Sequence, residues 1–336
     1  MVLGDLMFID ILVILISGYL AGKLFEFIKM PKLLGYLFVG ILFQYFGFIS
    51  TDLLLYKKQI TTFALSIILL KAGLGIDAKT IKKVGNRALL LGFIPNLFEA
   101  TVILLMGMLL LDLSFIEAGM VAFIISPVSP AVVIPSMVSI KEKGYNKNGV
   151  PVMNLASASI DDVFSVLMFS IFLFLYAGNL DGNQTLIMWP LIYLVIMIAG
   201  FFLQRFNIKP TVDKIWDIAQ IYLFFIIGFM VNLNTLGNIG LISIFIIIIG
   251  LLLRFMGVIT CLKGSVLDNN EKTFCVIANT PKATVQASLG AIPLIYGVAS
   301  GELILAMSTL SIILTAPIGL ILIEKFTHKL LKKGSI

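Results

Sequence analysis

Residues 125–130 have the sequence Ile-Ser-Pro-Val-Ser-Pro, and residues 279–286 have the sequence Asn-Thr-Pro-Lys-Ala-Thr-Val-Gln, each inside a long apolar segment. Proline lacks an amide donor and frees the carbonyl groups that would have accepted from it, so both helices are predicted to break there. Eleven apolar spans can be drawn, with the breaks in the fifth and the tenth. Because an offset of five spans reverses the direction of the chain, we predict an inverted repeat, residues about 33–178 against about 184–325, whose broken helices cross at mid-membrane.

The composition places the chain in the membrane class. Hydrophobic residues make up 60% and charged residues 12%, and the mean hydropathy is +1.08, whereas a soluble domain carries roughly 25% charged residues. Runs such as residues 303–323 reach the ~20 residues needed to cross the hydrocarbon layer as a helix. The predicted fold is an all-α polytopic protein with about eleven transmembrane helices, a single membrane domain over residues 1–336 that ends in a basic tail, residues 326–336. No phosphate-binding GxxxxGK[ST] motif occurs, so no nucleotide cofactor is expected.

Basic residues alternate between the loops in a way that predicts orientation. The predicted loops and span ends of one side carry nineteen cations: Lys23, Lys29, Lys32, Lys79, Lys82, Lys83, Arg87, Lys141, Lys143, Lys147, Arg205, Lys209, Lys214, Lys263, Lys272, Lys325, Lys329, Lys332 and Lys333. The opposite loops hold only Lys57 and Lys58, beside acidic Asp52, Asp112, Glu117, Asp181 and Glu302. Because cytoplasmic loops carry the excess of lysine and arginine, we expect the amino terminus outside and the carboxyl terminus in the cytoplasm of a plasma-membrane protein. The dispersed cations do not favour nucleic-acid binding.

Adjacent carboxylates stand in the middle of the sixth span, within residues 154–165 (Asn-Leu-Ala-Ser-Ala-Ser-Ile-Asp-Asp-Val-Phe-Ser). A charge near the bilayer centre costs ~2.5–3.5 kcal/mol on insertion scales, so such groups need partners or water. Neighbours on a helix differ by about 100° in direction, which lets one of Asp161 and Asp162 face a water-filled cavity and the other a protein partner. Their hard oxygen atoms suit a monovalent metal cation or a proton. The carbonyls and hydroxyls near Ser126, Ser129, Ser157 and Ser159 are candidates to complete the cation's shell, and the crossing itself is assigned to Ser126, Pro127, Ser129, Pro130, Thr280 and Pro281.

Three further intramembrane charges complete the candidate set. Lys282 stands beside the second break, where it can neutralise Asp161 in the empty site; the alternative is that it only stabilises a half-helix C-terminus. Glu99 and Arg254 lie on spans four and nine, which the predicted repeat relates to each other. We expect them to form a fixed ion pair between the repeats.

Several segments, taken in order, resemble the cation:proton antiporter superfamily, specifically bacterial relatives of the NHA-type sodium/proton exchangers. They are residues 31–42 (Pro-Lys-Leu-Leu-Gly-Tyr-Leu-Phe-Val-Gly-Ile-Leu), residues 69–77 (Leu-Leu-Lys-Ala-Gly-Leu-Gly-Ile-Asp), both breaks and the paired aspartates. The resemblance implies a homodimer with a dimerisation domain and a moving core domain that works as an elevator. It also implies that Asp162 is the principal carboxylate for Na⁺ or Li⁺ and protons, that Asp161 is its partner and that Lys282 compensates charge.

Two alternatives come from other classes. A sodium-coupled organic-anion symporter of the bile-acid transporter type shares broken-helix repeats, although paired acids beside the crossing argue against an anionic substrate. An intramembrane aspartyl protease needs two carboxylates that share a water molecule, which consecutive residues on one helix do poorly. The sequence therefore favours a secondary transporter over an enzyme.

Overall fold

The computed structural model describes residues 3–48, 57–75, 86–145, 147–178, 184–206 and 208–334. Their regular structure is helical throughout, with no strand in these ranges. In chain order the α-helices are α1 Leu3–Phe27, α2 Lys32–Phe46, α3 Lys57–Gly75, α4 Asn86–Leu110, α5 Phe115–Ile125, α6 Pro130–Glu142, α7 Val150–Gly178, α8 Gln184–Leu203, α9 Lys209–Met230, α10 Leu233–Leu262, α11 Asn269–Ala278, α12 Thr284–Gly290, α13 Ile292–Ile295 and α14 Gly301–Leu330.

Within the residues that the structure describes, five helical segments are long and apolar enough to cross a membrane: α4, α7, α10, α14 and the interrupted segment Phe115–Glu142. Four shorter apolar helical segments accompany them in the described ranges: Lys32–Phe46, Gln59–Gly75, Val195–Phe206 and Thr284–Ile295. The all-helical architecture is therefore confirmed. The number of eleven spans stays a prediction.

Both proline-containing segments interrupt a helix in the structure. Helix α5 ends at Ile125 and α6 begins at Pro130, while α11 ends at Ala278 and α12 begins at Thr284. The two interruptions touch through their backbones, because the amide of Ser129 donates to the carbonyl of Pro281 at 2.8 Å. Two breaks that are far apart in sequence thus meet at one point inside the protein.

The helices pack in two groups around this point. Helix α4 packs against α10 and α7, and α14 contacts α6, α11 and α12. On the other side, α9 packs against α1, α2 and α3, and α1 packs against α2. Helix α8 packs against α3 and α7. Helices α2 and α9 approach so closely that a Cβ atom at Gly40 would collide with the carbonyl of Phe225, and one at Gly228 with the carbonyl of Leu37. Glycine is therefore required at this contact.

Several predicted loop charges fall outside the described residues: Asp52, Lys79, Lys82, Lys83 and Asp181, together with the side chains of Lys57 and Lys58. At the other end of the chain, α14 continues to Leu330, through the first part of the segment predicted as a basic tail. Leu331 is buried, and the amide of Gly334 donates to the carbonyl of Gly144 at 3.0 Å. The described part of this tail therefore packs on the loop between α6 and α7.

Candidate ion-binding site

Five charged side chains are buried where α4, α7 and α10 meet the two helix breaks. They are the acids and bases singled out in the sequence, namely Glu99, Asp161, Asp162, Arg254 and Lys282, and none is more than 5% exposed. Charges so deep in an apolar interior persist only when they are paired, hydrogen-bonded or hydrated. Their individual partners therefore define the site.

Asp161 is held by donors from two other helices and one break. Its Oδ2 accepts from Arg254 Nη2 at 2.5 Å and from the amide of Val128 at 2.8 Å, and its Oδ1 accepts from the side-chain amide of Asn96. The Val128 amide is available because the helix is interrupted there. Asp161 is thus a fixed anion that ties α7 to α4, α10 and the first break.

The second buried carboxylate, Glu99, receives both cations on a single oxygen. Its Oε2 lies 3.1 Å from Arg254 Nη1 and 2.6 Å from Lys282 Nζ. The structure therefore places Glu99 and Arg254 in the contact that the sequence suggested. The carboxylate partner of Lys282 is Glu99, whereas the sequence suggested Asp161. The cation that pairs with Asp161 is Arg254.

The carbonyl of Ser126 is a further acceptor for both cations. It accepts from Arg254 Nη1 at 2.7 Å and from Lys282 Nζ at 2.5 Å. Because the helix is broken after this residue, its carbonyl is free of the usual intrahelical donor. The break thus supplies an acceptor where two positive charges converge.

Three polar residues that the sequence pattern does not single out belong to this network. Asn96 donates to Ser165 Oγ at 2.6 Å and accepts from Ser126 Oγ at 2.9 Å, and Asn279 Oδ1 accepts from Arg254 Nη2 at 3.1 Å. Gln286 Nε2 donates to the carbonyls of Ile125 and Pro127 at 3.1 and 2.7 Å. In the sequence, Asn96 stands three residues before Glu99, which places both on one face of α4. Asn279 and Gln286 are indicated only by their position in the second break.

The hydroxyl groups proposed as cation ligands have other partners in this structure. Ser157 and Ser159 donate to carbonyls of their own helix, at 3.2 and 3.3 Å, and Ser129 Oγ lies 3.4 Å from Thr284 Oγ1. Thr280 Oγ1 is buried without a hydrogen-bond partner among the described residues. These contacts do not gather the serine hydroxyls around one point.

Asp162 is buried on the same helix, but it has none of the partners that hold Asp161. Its Oδ1 is buried and has no hydrogen-bond partner in the part of the chain that the structure describes. The side chain lines an open cavity of about 360 Å³ between α6 and α7 on one side and α3 and α9 on the other. The cavity also reaches Lys32, Gly75 and Lys209, which begin or end α2, α3 and α9 on the lysine-rich side. One aspartate is therefore locked in an ion pair, and the next one stands at the floor of a cavity.

The charges of the cluster do not cancel. Glu99 and Asp161 are matched by Arg254 and Lys282, so ionised Asp162 leaves one negative charge without a partner. One proton or one monovalent cation neutralises it.

The transmembrane sodium/hydrogen exchanger family matches residues 11–209 and 203–325. The chain belongs to this family. Sodium/hydrogen exchanger 9B2 of Homo sapiens is 29% identical in an alignment that covers 96% of this chain and 75% of the relative. Sodium/hydrogen exchanger 9B1 of Homo sapiens is 25% identical over 96% of this chain and 78% of that protein. The fold is similar to that of the sodium proton antiporter MjNhaP1 from Methanocaldococcus jannaschii, with a TM-score of 0.76, 16% identity, and coverage of 98% and 99% of the two chains.

Membership of the sodium/hydrogen exchanger family confirms the resemblance to the cation:proton antiporter superfamily. It supports cation/proton exchange by a membrane transporter. It does not favour the organic-anion symporter, and the family consists of transporters, not proteases.

Proposed function

We propose that this exchanger carries Na⁺ or Li⁺ in one direction and H⁺ in the other, with Asp162 holding the cation and the proton in turn. The observation that carries the proposal is the single uncompensated carboxylate at the floor of an open cavity. A carboxylate oxygen is a suitable ligand for a hard cation and also a proton acceptor. Competition for that one group couples the two fluxes.

The balance of charge supports one monovalent ion per site. With Glu99 and Asp161 paired to Arg254 and Lys282, the site is neutral when Asp162 holds either H⁺ or Na⁺. An unpaired charge in an apolar interior is costly, so the loaded states can cross the low-dielectric interior while the empty ionised state resists it. Such a difference is what obligatory exchange requires.

The fixed part of the site supports Asp162 without taking part in the exchange. Asp161 is bonded to Arg254, Asn96 and the Val128 amide, so we assign it to positioning rather than to ion transfer. Lys282 compensates charge through Glu99 in this arrangement. In the absence of serine hydroxyls aimed at the cavity, water molecules from the cavity complete the shell of a cation on Asp162.

The transport cycle is proposed to be of the elevator type. The group containing both breaks, α4–α7 and α10–α14, would move against the group α1, α2, α3 and α9, and Asp162 lies at the boundary between them. With the lysine-rich side in the cytoplasm of a plasma-membrane protein, the described cavity opens inward. The inverted repeat, about 33–178 and 184–325, would supply the second, outward-open arrangement, and a homodimer would anchor the static group.

Cation-driven collapse of a pH gradient in proteoliposomes tests the proposal. Wild type, Asp162→Asn and Asp112→Asn are compared with Na⁺, Li⁺ and K⁺, the last variant being a matched carboxylate-to-amide change at an exposed loop residue outside the cavity. We expect Na⁺ or Li⁺ to collapse the gradient with wild type and Asp112→Asn, and Asp162→Asn to be silent. Activity in Asp162→Asn equal to that of wild type would show that Asp162 is not the carboxylate that holds the cation and the proton. Silence of correctly folded wild type with all three cations would refute monovalent cation exchange.

A further inference from the structure

A second cavity, of about 560 Å³, lies on the other side of α6 from the Asp162 cavity. Pro135 of α6 lines both cavities, so this helix is the wall between them. Basic side chains enter the second cavity from three separate elements: Lys29 from the link between α1 and α2, Lys143 from the end of α6, and His328 from α14. Glu324 is the acidic group in its lining.

Lys29 occupies a backbone conformation that does not suit a lysine. Its φ is +59°, in the left-handed region. The amide of Lys29 donates to the carbonyl of Glu26 at 3.0 Å and that of Met30 to Phe25 at 2.8 Å, the pattern of a helix end at which glycine is the usual residue. A lysine here strains the backbone and delivers a cation to the cavity. Helix termination alone would be served better by glycine.

The imidazole of His328 is held in a fixed direction. Its Nδ1 lies 2.6 Å from the hydroxyl of Tyr145, and the two rings pack edge to face with centroids 5.2 Å apart. This contact occupies one ring nitrogen and leaves Nε2 for another partner. With Lys29 and Lys143 opposed by Glu324, the lining is net positive even when His328 is neutral.

We propose that this cavity binds a phosphate-type anion, either the headgroup of an anionic phospholipid or a free phosphate or pyrophosphate. Phosphate oxygens accept charge-assisted hydrogen bonds from lysine and from an imidazole N–H, and the hydroxyl of Ser139 in the same lining adds a donor. The cavity lies at the lysine-rich end of the helices, where a headgroup of the adjacent leaflet or a dissolved anion can enter. The three basic side chains come from three separate elements of the chain.

An anion in this cavity bridges the two helix groups. Lys29 belongs to the link between α1 and α2, whereas Lys143 and His328 follow or belong to α6 and α14. A ligand that contacts both groups stabilises the arrangement in which they are this close, because it loses contacts when they separate. The bound anion is therefore expected to slow exchange. This slowing rests on the proposed elevator function, whereas the binding of the anion does not.

Thermal stabilisation of the purified full-length protein in detergent tests the binding directly. The probes are pyrophosphate and short-chain phosphatidylglycerol, both added at a constant sodium concentration, with short-chain phosphatidylcholine as the neutral comparison. The variants are Lys29→Gly and Lys143→Gln, and the matched control is Lys325→Gln, an exposed α14 lysine outside the cavity lining. Lys29→Gly removes the cation and relieves the backbone, so its unliganded melting temperature is expected to be unchanged or higher.

We expect phosphatidylglycerol, pyrophosphate or both to raise the melting temperature of wild type and Lys325→Gln, while phosphatidylcholine does not. In Lys29→Gly and Lys143→Gln the half-saturating anion concentration should rise about fivefold or more, because each variant loses one charge-assisted hydrogen bond to the anion. A response to phosphatidylglycerol alone identifies a lipid headgroup, and a response to pyrophosphate identifies a free phosphate. Equal shifts in wild type and both cavity variants, equal shifts with phosphatidylcholine, or no shift with either anion overturn the proposal. The readout involves no transport, so failure of cation exchange leaves it intact.

Discussion

The neighbouring residues Asp161 and Asp162 should respond in opposite ways to the same carboxylate-to-amide substitution. Asp161 accepts from Arg254, Asn96 and the Val128 amide, whereas Asp162 Oδ1 has no partner within the described residues. Asp161→Asn therefore leaves the guanidinium of Arg254 with one carboxylate, Glu99, which it shares with Lys282. Asp162→Asn removes a carboxylate that forms no salt bridge among the described residues.

The expected magnitudes follow from this difference in pairing. Removal of one partner of a buried ion pair costs about 3–5 kcal/mol, because the other charge stays buried. At roughly 2 °C per kcal/mol for a chain of this size, Asp161→Asn should melt roughly 6–10 °C below wild type. Asp162→Asn should stay within about 1 kcal/mol of wild type, since it removes an unpaired buried charge and its amide faces a cavity open to water.

Apparent melting temperatures of both variants in detergent, at one scan rate, measure the contrast. Sodium adds a second comparison: a ligand at 100 times its Kd stabilises the folded state by about 2.7 kcal/mol, and this gain should be present in wild type and absent in Asp162→Asn. A loss of stability in Asp162→Asn as large as that in Asp161→Asn would contradict the difference in pairing. Stabilisation of Asp162→Asn by sodium as strong as that of wild type would contradict the assignment of the cation to Asp162.

Three other predictions concern groups around the same site. Glu99→Gln should cost about 3 kcal/mol or more, and adding Lys282→Met should recover about 1–3 kcal/mol, because the lysine is then no longer left unpaired; purely additive losses in the melting temperatures would contradict the ion pair. Gln286→Met should cost about 1–3 kcal/mol for each carbonyl of the first break that it leaves without a donor, and melting temperatures unchanged from wild type would show that water replaces the amide. Asp217 lines the Asp162 cavity and attracts cations to it, so Asp217→Asn should raise the half-saturating sodium concentration about twofold at low ionic strength and little at high salt, and Asp112→Asn should not raise it. The same rise at both salt concentrations would exclude long-range attraction as the cause.

The helix breaks could be predicted from the sequence, because the described helices end and restart around Pro127, Pro130 and Pro281, each of which lacks an amide donor. A proline alone does not decide a break, since Pro95, Pro135 and Pro317 lie inside continuous helices. The candidate charges could also be identified, since a charge inside an apolar span is conspicuous. The span count was less accessible, because helices such as α2 and α3 are short or carry charged ends, and hydropathy alone does not say whether they cross.

The pairing of the charges could not be predicted, because it depends on side-chain reach between helices that are distant in the chain. Lys282 and Glu99 are separated by 183 residues and lie 2.6 Å apart. The sequence showed that Lys282 adjoins the second break but not which carboxylate its ammonium group meets. Asn96 was missed for a related reason: an asparagine in a span carries no net charge, and only its contacts distinguish it from a packing residue.

The two breaks explain why the charged cluster can exist inside the protein at all. Two cations and two carboxylates in an apolar interior need more acceptors and donors than their own side chains provide. The first break supplies the Ser126 carbonyl to Arg254 and Lys282 and the Val128 amide to Asp161, and both groups would be engaged within an uninterrupted helix. The second break brings Asn279 and Lys282 to the same point. These four charges pair with one another and with fixed groups of the two breaks, whereas Asp162 has no salt bridge among the described residues. The backbone irregularity is therefore part of the proposed ion-binding site.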